Sequence, residues 1–459
     1  MELSMLTISA EDFIQGASFS KRISLGGLSP EDKGVNLFKE QATVLYPQPL
    51  PVDITGLEDD AIEMILDPEF GGNDAFILDK SGKFYTLDGT TLTKRQTDAT
   101  NTYVFGTSKM VVFKGDVYAS SQGDIALLDG TNLSTLDHDW WTNTKSKSAL
   151  QTDQRHDLVV IEDTLYIPDG NSIHTWDGTT AVEDAIQIPT DMNIITATKH
   201  PNGRDLIVFA SRSKNYSHTL RVEARVYVID TNTSEFISET SLDDQVEGVI
   251  DVGGGYFITS GDVFGILNGS SVDLIRKITK PSTAAVYKPK MTNFDGVVMV
   301  VDNNAVLAYG DLNGLGDIPF YPYYNNDNQN EIKAILAIGS KQLLVAYSTN
   351  TLKKLDFNNS DGVARAKTGK LKFPGKVWIR KIEVFLESAL SSGSQHSLLI
   401  ANEAGSEQSL GSMNYSSDGA IKSKEFWCNM LLKELNFVVS WLAVPKGVKR
   451  IDIYYESGE

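Results

Sequence analysis

Short apolar runs separated by small clusters of Gly, Asn, Asp and Ser pattern most of the chain, and one unit recurs. An apolar run is followed by a polar turn, a second apolar run, and then an acidic or amide residue. Ala75 to Leu78, the turn Asp79-Lys80-Ser81-Gly82, and Phe84 to Leu87 before Asp88-Gly89 form the first example. Later units end at Leu128-Asp129-Gly130, Trp176-Asp177-Gly178, Ile229-Asp230-Thr231, Leu267-Asn268-Gly269, Tyr309-Gly310-Asp311 and Leu355-Asp356-Phe357. Successive endings lie 38 to 53 residues apart, and an apolar run closed by Asp or Asn at that period is the signature of a β-propeller. Further runs lie upstream at Met110 to Phe113, Leu158 to Ile161, Val249 to Val252 and Ile335 to Ile338. With a strand after each Asp-Gly turn, they bring the unit to the four strands of a blade.

Gly, Asn and Asp tolerate the positive φ of tight hairpins, so the turns suit the strands they join. Val297 to Val301 and Leu343 to Ala346 are apolar at every position, as strands covered on both faces should be. Long helical periodicity is missing. The expected fold class is therefore all-β: a β-propeller of about seven blades over residues 58–361, an extended N-terminal arm over 1–57, and a C-terminal β-sandwich-like segment over 362–459.

The arm contains Arg22-Ile23-Ser24-Leu25-Gly26-Gly27-Leu28-Ser29-Pro30 and the prolines Pro47, Pro49 and Pro51, an extended pattern. Such an arm could supply a strand that closes the ring or lie on a neighbouring subunit. Beyond a basic linker with Arg365, Lys367, Lys370, Lys372 and Lys376, strands are expected at Val377 to Leu386, Ser397 to Ala401, Phe426 to Leu432, Leu435 to Leu442 and Val448 to Tyr455. Ile382, Val384 and Leu386 share one face of the first of these, with Lys381 and Glu383 on the other, which suits a small sandwich.

Three interruptions carry candidate chemistry. Ala210 to Arg225 in the fourth repeat holds Arg212, Lys214, His218, Arg221 and Arg225. It reads either as a recognition loop for an anionic sugar or partner, or as a solvated hairpin. The insertion from Asp137 to Gln151 contains Trp140-Trp141, exposed to a partner or buried against the propeller rim. Phe320-Tyr321-Pro322-Tyr323-Tyr324 reads as a sugar platform or as a packed segment between blades.

The formal charge of −19, from 60 acidic and 41 basic residues, argues against broad contact with nucleic acid phosphates. A lone cysteine, Cys428, excludes a disulfide framework; its neighbours Phe426, Trp427, Met430 and Leu431 suggest a buried small hydrophobe. Met1 to Gly16 carries Glu2, Glu11 and Asp12 and no basic segment before an apolar run, so no secretory signal is read there. Met430 to Pro445 is broken by Lys433, Glu434 and Asn436 and is too short to span a bilayer. A soluble protein made in a cytoplasm is expected.

His138, His156, His174, His200, His218 and His396 show no metal-ligand spacing. No nucleophile elbow or phosphate loop occurs, and Gly253-Gly254-Gly255 lies between strands as a hairpin turn. Carboxylates cluster at Glu58-Asp59-Asp60, at Asp243-Asp244 and at Asp137 with Asp139, but a glycosidase needs two that face one another, which spacing does not establish. The oxygen-rich stretches Asp311 to Asp317 and Asp356 to Gly362 depart from the twelve-residue calcium loop. No catalytic, cofactor-binding or metal-binding residue is assigned, and no enzyme activity is expected.

A non-repeating arm with Gly26-Gly27-Leu28, Asp-Gly-punctuated repeats, and a terminal segment opening with Trp378-Ile379-Arg380-Lys381-Ile382 together resemble virion structural proteins of tailed bacteriophages. In style the chain is similar to the tail nozzle propellers of short-tailed phages; the Trp-Asp pair of common propeller repeats occurs in these units only at Trp176-Asp177. The resemblance implies a non-enzymatic virion tail component made in the host cytoplasm. It would form a homo-oligomeric ring around the DNA exit path, without a cofactor, and meet other tail or adaptor proteins and the host surface during assembly and DNA ejection. A strongly acidic protein suits such a conduit, because like charge keeps DNA from adhering. The competing class is a soluble carbohydrate-binding or glycan-degrading propeller.

Overall fold

The computed structural model describes residues 3–9 and 48–457, apart from 67–73, 105, 132, 153, 217–218, 261, 280–289, 312–316, 325–329, 340, 361–363, 368–370 and 403–405. The described chain is nearly all β-strand, with a short α-helix at Tyr415–Asp418 and a π-helical turn at Trp140–Thr144. Among the described residues no helix is long and apolar enough to cross a membrane. The Arg22 to Pro30 part of the expected arm lies outside the described residues.

The expected four-strand unit is present and antiparallel. The first sheet is Ala61–Leu66, Ala75–Asp79, Lys83–Asp88 and Thr91–Thr97, hydrogen-bonded in chain order. The second is Met110–Phe113, Asp116–Ser120, Ile125–Leu128 and Leu136–Asp137, and the third is Val159–Ile161, Thr164–Asp169, Ser172–Trp176 and Ala181–Gln187. Asn193–Lys199, Leu206–Tyr216, Thr219–Ile229 and Phe236–Leu242 form the fourth; Gly248–Val252, Gly255–Ser260, Val263–Asn268 and Ser271–Lys277 form the fifth. The sixth is Met291–Phe294, Val297–Asp302, Ala305–Asp311 and Asp317–Tyr324. In the seventh, Ile332–Ile338, Gln342–Tyr347 and Leu352–Ser360 are followed by Pro49–Ile54 from the N-terminal side of the chain.

Local chemistry explains the punctuation. Asp79 accepts the N–H groups of Ser81 at 3.0 Å and Lys83 at 2.9 Å, closing the first hairpin. Gly82 sits at φ +78, where a Cβ would fall 2.2 Å from the Asp98 carbonyl oxygen, so glycine is required. The Asp-Gly endings are held from outside the turn: Asp74 Oδ2 accepts the Gly89 N–H at 2.9 Å, and Asp116 Oδ1 accepts that of Gly130 at 2.9 Å. An acidic residue at the start of the second strand thus anchors the turn at the end of the third.

The chain divides into two compact units, Asp53–Asn303 with Asn330–Lys354, and Met1–Val52 with Asn304–Gln329 and Leu355–Glu459. In the former, neighbouring sheets share apolar clusters. Phe76, Leu78 and Phe84 of the first sheet pack with Met110, Val117 and Leu128 of the second. Tyr118 and Ile125 pack with Leu165 and Trp176 of the third, Ile173 with Val208 and Tyr227 of the fourth, and Phe209 with Ile258 of the fifth. Ala334, Ile338, Leu344 and Ala346 of the seventh then return to Ala61, Met64 and Ile77 of the first. The leading strands of the seven sheets neighbour one another in chain order, and Ile332–Ile338 lies beside Ala61–Leu66. Burial on both faces explains why these strands are uniformly apolar.

In the other unit, Ser4–Ser9, Val448–Ser457, Leu371–Leu386, Ser423–Trp441, Gln395–Ala401 and Glu407–Asn414 follow one another in a seven-stranded sheet, and Ala364–Lys367 also pairs with Ser423–Trp441. The strands expected at Phe426 to Leu432 and Leu435 to Leu442 are one strand. Lys433 is exposed and Glu434 meets Lys372 at 4.0 Å, so neither charge interrupts the pairing. The strand changes partners along its length: Phe426 pairs with Ile382, while Phe437 pairs with Ile400. Ile382, Val384 and Leu386 are all buried, as their shared face implies.

Candidate functional site

A cavity of about 280 Å³ is lined from the leading strands of the first five sheets and the residues just before them. Its ionisable lining groups are Glu63, Lys109, Arg155, Asp157 and Lys199. Their placement repeats: Lys109 precedes Met110–Phe113, and Arg155 and Asp157 precede Val159–Ile161. Lys290 stands likewise before Met291–Phe294. Three leading strands thus begin beside a charged residue, whereas Glu63 lies within its strand and Lys199 closes its own.

Glu63, 7% exposed, pairs through Oε2 with the Lys290 ammonium, and its Oε1 lies 3.5 Å from Lys109 Nζ. Asp157 Oδ1 accepts from Arg155 Nε, while its Oδ2 accepts from Thr196 Oγ1 at 2.7 Å and from the Ala197 N–H at 2.9 Å. Arg155 Nη1 donates to the Glu247 carbonyl at 3.1 Å. Burial pushes the Glu63 carboxyl up, but the Lys109 and Lys290 charges outweigh it and hold the group below its ordinary value. Burial pulls the Lys290 ammonium down to about 8 against the attraction of Glu63, and repulsion from Lys109 and Arg155 adds to the fall. The site is a charge-dense polar pocket, part buried and part open to solvent, that can bind and orient a charged group.

The other candidates resolve into structure. Leu206–Tyr216 and Thr219–Ile229 continue the fourth-repeat hairpin as paired strands. Arg212 is bound by Asp191 and Glu223, and Arg225 by Glu223 and Glu239. Those two arginines are committed within the hairpin and its surroundings; His218 and the side chains of Lys214 and Arg221 lie outside the described residues. Trp140 and Trp141 are buried. Trp140 stands edge-on to Tyr118 and Trp176 with centroids 4.9 and 5.3 Å away, and the Lys145 ammonium lies 3.9 Å above the Trp176 ring. Tyr321 and Tyr323 are also buried, whereas the Tyr324 side chain lies outside the described residues.

The histidines serve several local environments. His138 Nδ1 lies 2.9 Å from Asp98, buried His156 meets the carbonyls of Gln151 and Pro168, and His174 stacks on Trp141. Glu58 is bound by Lys83 and Lys94, while Asp137 and Asp139 accept from Thr144 and Asn143 around the π-helical turn. Of the oxygen-rich stretches, residues 312–316 and 361–362 lie outside the described residues, and Asp356 accepts from Asn358 and Asn359. Among the described residues no group of three or more His, Cys, Asp or Glu side chains is arranged to hold a metal ion.

Cys428 is half-buried rather than fully buried: exposed Trp427 and Asn429 point to the other face of its strand, and Met430 on its own face is itself only partly covered. Burial still pushes its thiol up to about 11. Against an ordinary value of 9.0, the thiolate population falls about 100-fold near neutral pH. Iodoacetamide is accordingly expected to label the native chain far more slowly than the urea-unfolded chain at pH 7.5; equal rates would show that the thiol is not shielded.

Sequence reading missed the cavity. The available signal was a charged residue just before several leading strands, but nothing local says that Glu63 and Lys290, 227 positions apart, will meet. No protein-family model matches the chain, and no curated protein does. Among solved structures, the chain is similar to the β-propeller domain of Cps50 (Swd1) from Myceliophteria thermophila at 10% identity, covering 67% of this chain and 99% of that one with TM-score 0.46. YCF48 from Cyanidioschyzon merolae matches at 10% identity over 67% of this chain and 99% of its own, with TM-score 0.44. Raptor from Chaetomium thermophilum matches at 12% identity and TM-score 0.47, over 72% of this chain but 30% of Raptor. These likenesses bear on neither the activity nor the partners of this chain.

Proposed function

We propose that the chain is a non-enzymatic structural protein of a bacteriophage virion, a tail component of the nozzle or tail-tip type. It assembles as a homo-oligomeric ring around the DNA exit path and contacts other tail proteins. Its scaffold is read as a seven-bladed propeller, supported by the cyclic order of the seven leading strands. Pro49–Ile54 supplies the outer strand of the last blade, and Asp53 lies 3.4 Å from Lys353 beside that junction. The C-terminal strands, with one long strand shared between two sets of partners, are read as a sandwich-like assembly domain.

The observation that carries the reading is a row of side chains across the C-terminal sheet. Met5 pairs with Tyr454, Tyr454 with Lys381, and Lys381 with Trp427. Lys381 Nζ lies 4.1 Å from the Tyr454 ring centroid and 5.7 Å from that of Trp427. Trp427 is 72% exposed and Met5 57%, with Leu3 and Leu431 also exposed. An aromatic anchor with a cationic neighbour and apolar flanks is the composition of an interface hot spot. The glycan reading finds no comparable support, since Tyr321 and Tyr323 have buried rings.

Light scattering coupled to size exclusion, with negative-stain imaging, tests this. A ring-shaped oligomer is expected, and Trp427→Ser should weaken its association roughly 30-fold or more, the loss of a hot-spot contact of about 2 kcal/mol. A wild-type chain that stays monomeric at micromolar concentration and is absent from particles would overturn the reading.

A further inference from the structure

We propose that the cavity among the leading strands is a binding site for a small free oxyanion of the phosphate or sulfate class. This goes beyond the assembly reading and does not depend on it. The first support is unspent donor capacity. Lys109 Nζ approaches Glu63 only to 3.5 Å, too long for a direct hydrogen bond. Lys199, also on the lining, makes no side-chain hydrogen bond or ion pair among the described residues.

The second support is that the two lining carboxylates are already occupied. Glu63 is held by Lys290, and both oxygens of Asp157 accept from Arg155, Thr196 and Ala197. They therefore cost an incoming anion less than free carboxylates would. Around the cavity stand the cations Lys109, Arg155, Lys199 and Lys290 against Glu63 and Asp157. Glu247, whose carbonyl binds Arg155, adds one further carboxylate nearby and leaves the described balance cationic. A cationic concavity in a chain of net charge −19 is a local reversal of sign.

The third support is the partial burial of the site's fixed groups, with the cavity itself open to the anion on one side. Charge-assisted hydrogen bonds strengthen where water is partly excluded, and Arg155 and Asp157 are both largely buried here. The bound anion would sit against the Lys109 and Lys199 ammoniums with the Thr198 hydroxyl on the same lining. A volume of about 280 Å³ is near the lower end of small-ligand pockets, compatible with a compact anion and its water.

Inorganic phosphate serves as the probe, titrated into the full chain at pH 7 against chloride at matched ionic strength. Calorimetry and thermal shift are expected to show saturable binding for phosphate, with sulfate competing. Lys109→Met should weaken it at least 10-fold and Lys199→Gln several-fold, while Lys109→Arg retains it. Thermal stability in chloride reports that each variant is folded; if Lys109→Met fails to fold, exposed Lys199→Gln decides. Identical behaviour in phosphate and chloride overturns the proposal, as does wild-type affinity in the folded Lys109→Met or, failing that, in Lys199→Gln.

Discussion

Glu63→Gln is expected to destabilise the chain by about 3–5 kcal/mol near pH 7, the penalty for removing one partner of a buried ion pair. The substitution keeps the shape and deletes the charge, leaving Lys290 buried beside Lys109 and Arg155 without its carboxylate. The cost arises more from stranding cations than from losing a contact. Its pH dependence follows from the direction of the lysine shift. The folded-state value of Lys290 is depressed to about 8, so the associated stability is present above the unfolded value of 10.5 and is lost as pH falls through about 8. Below that point the ammonium is charged and relies on Glu63. The penalty of Glu63→Gln should therefore be largest at pH 6 to 7 and shrink above pH 9. Urea unfolding of both proteins across that range measures it, and a loss below about 1 kcal/mol at pH 7, or one that grows with pH, would refute the ion-pair account.

Acidification is expected to unfold the chain partly through one imidazole. His396 is 3% exposed and lies against a small cavity lined by Val384, Leu386, Leu398, Met413, Val439 and Val448. Neither ring nitrogen has a hydrogen bond of normal geometry. Burial pushes the imidazole down to about 4 against the pull of the Gln395 backbone, and the Lys446 charge adds to the fall. Because the folded value is depressed, this contribution is fully present above the unfolded value of 6.5 and is lost as pH falls toward about 4. The span corresponds to about 3 kcal/mol. His396→Leu keeps an apolar group of similar bulk and removes the titration. Between pH 7 and 4 the wild type should lose about 3 kcal/mol more stability than the variant, with the carboxylates common to both cancelling. Parallel stability curves for the two proteins would show that protonation of His396 is not what the fold resists.

Much of the scaffold was legible because its determinants are local. Asp79 closes a turn within four residues, Gly82 occupies a conformation open to few other residues, and Asp74 and Asp116 hold turns about fifteen residues away. Alternation placed Ile382, Val384 and Leu386 on a buried face without knowledge of what covers it. Reading failed where a residue's state depends on a distant neighbour. Lys433 and Glu434 looked like a strand break, yet pairing with the strand Leu371–Leu386 carries the backbone through them. Trp140 and Trp141 could face a partner or the protein until Tyr118 and Trp176 converged on them.

The sequence by itself thus determined the repeat, the four-strand unit and the apolar character of both strand faces, since hairpin hydrogen bonds and side-chain alternation act over a few residues. Only the tertiary structure decided that Pro49–Ile54 joins the seventh sheet, and that Trp427 stays exposed while Trp141 is buried. It also decided that Glu63, Lys109 and Arg155 line one pocket and that Lys290 pairs with Glu63 beside it. The reason is physical: burial and charge pairing depend on which strands the closing sheets bring together, and that information is spread over the whole chain.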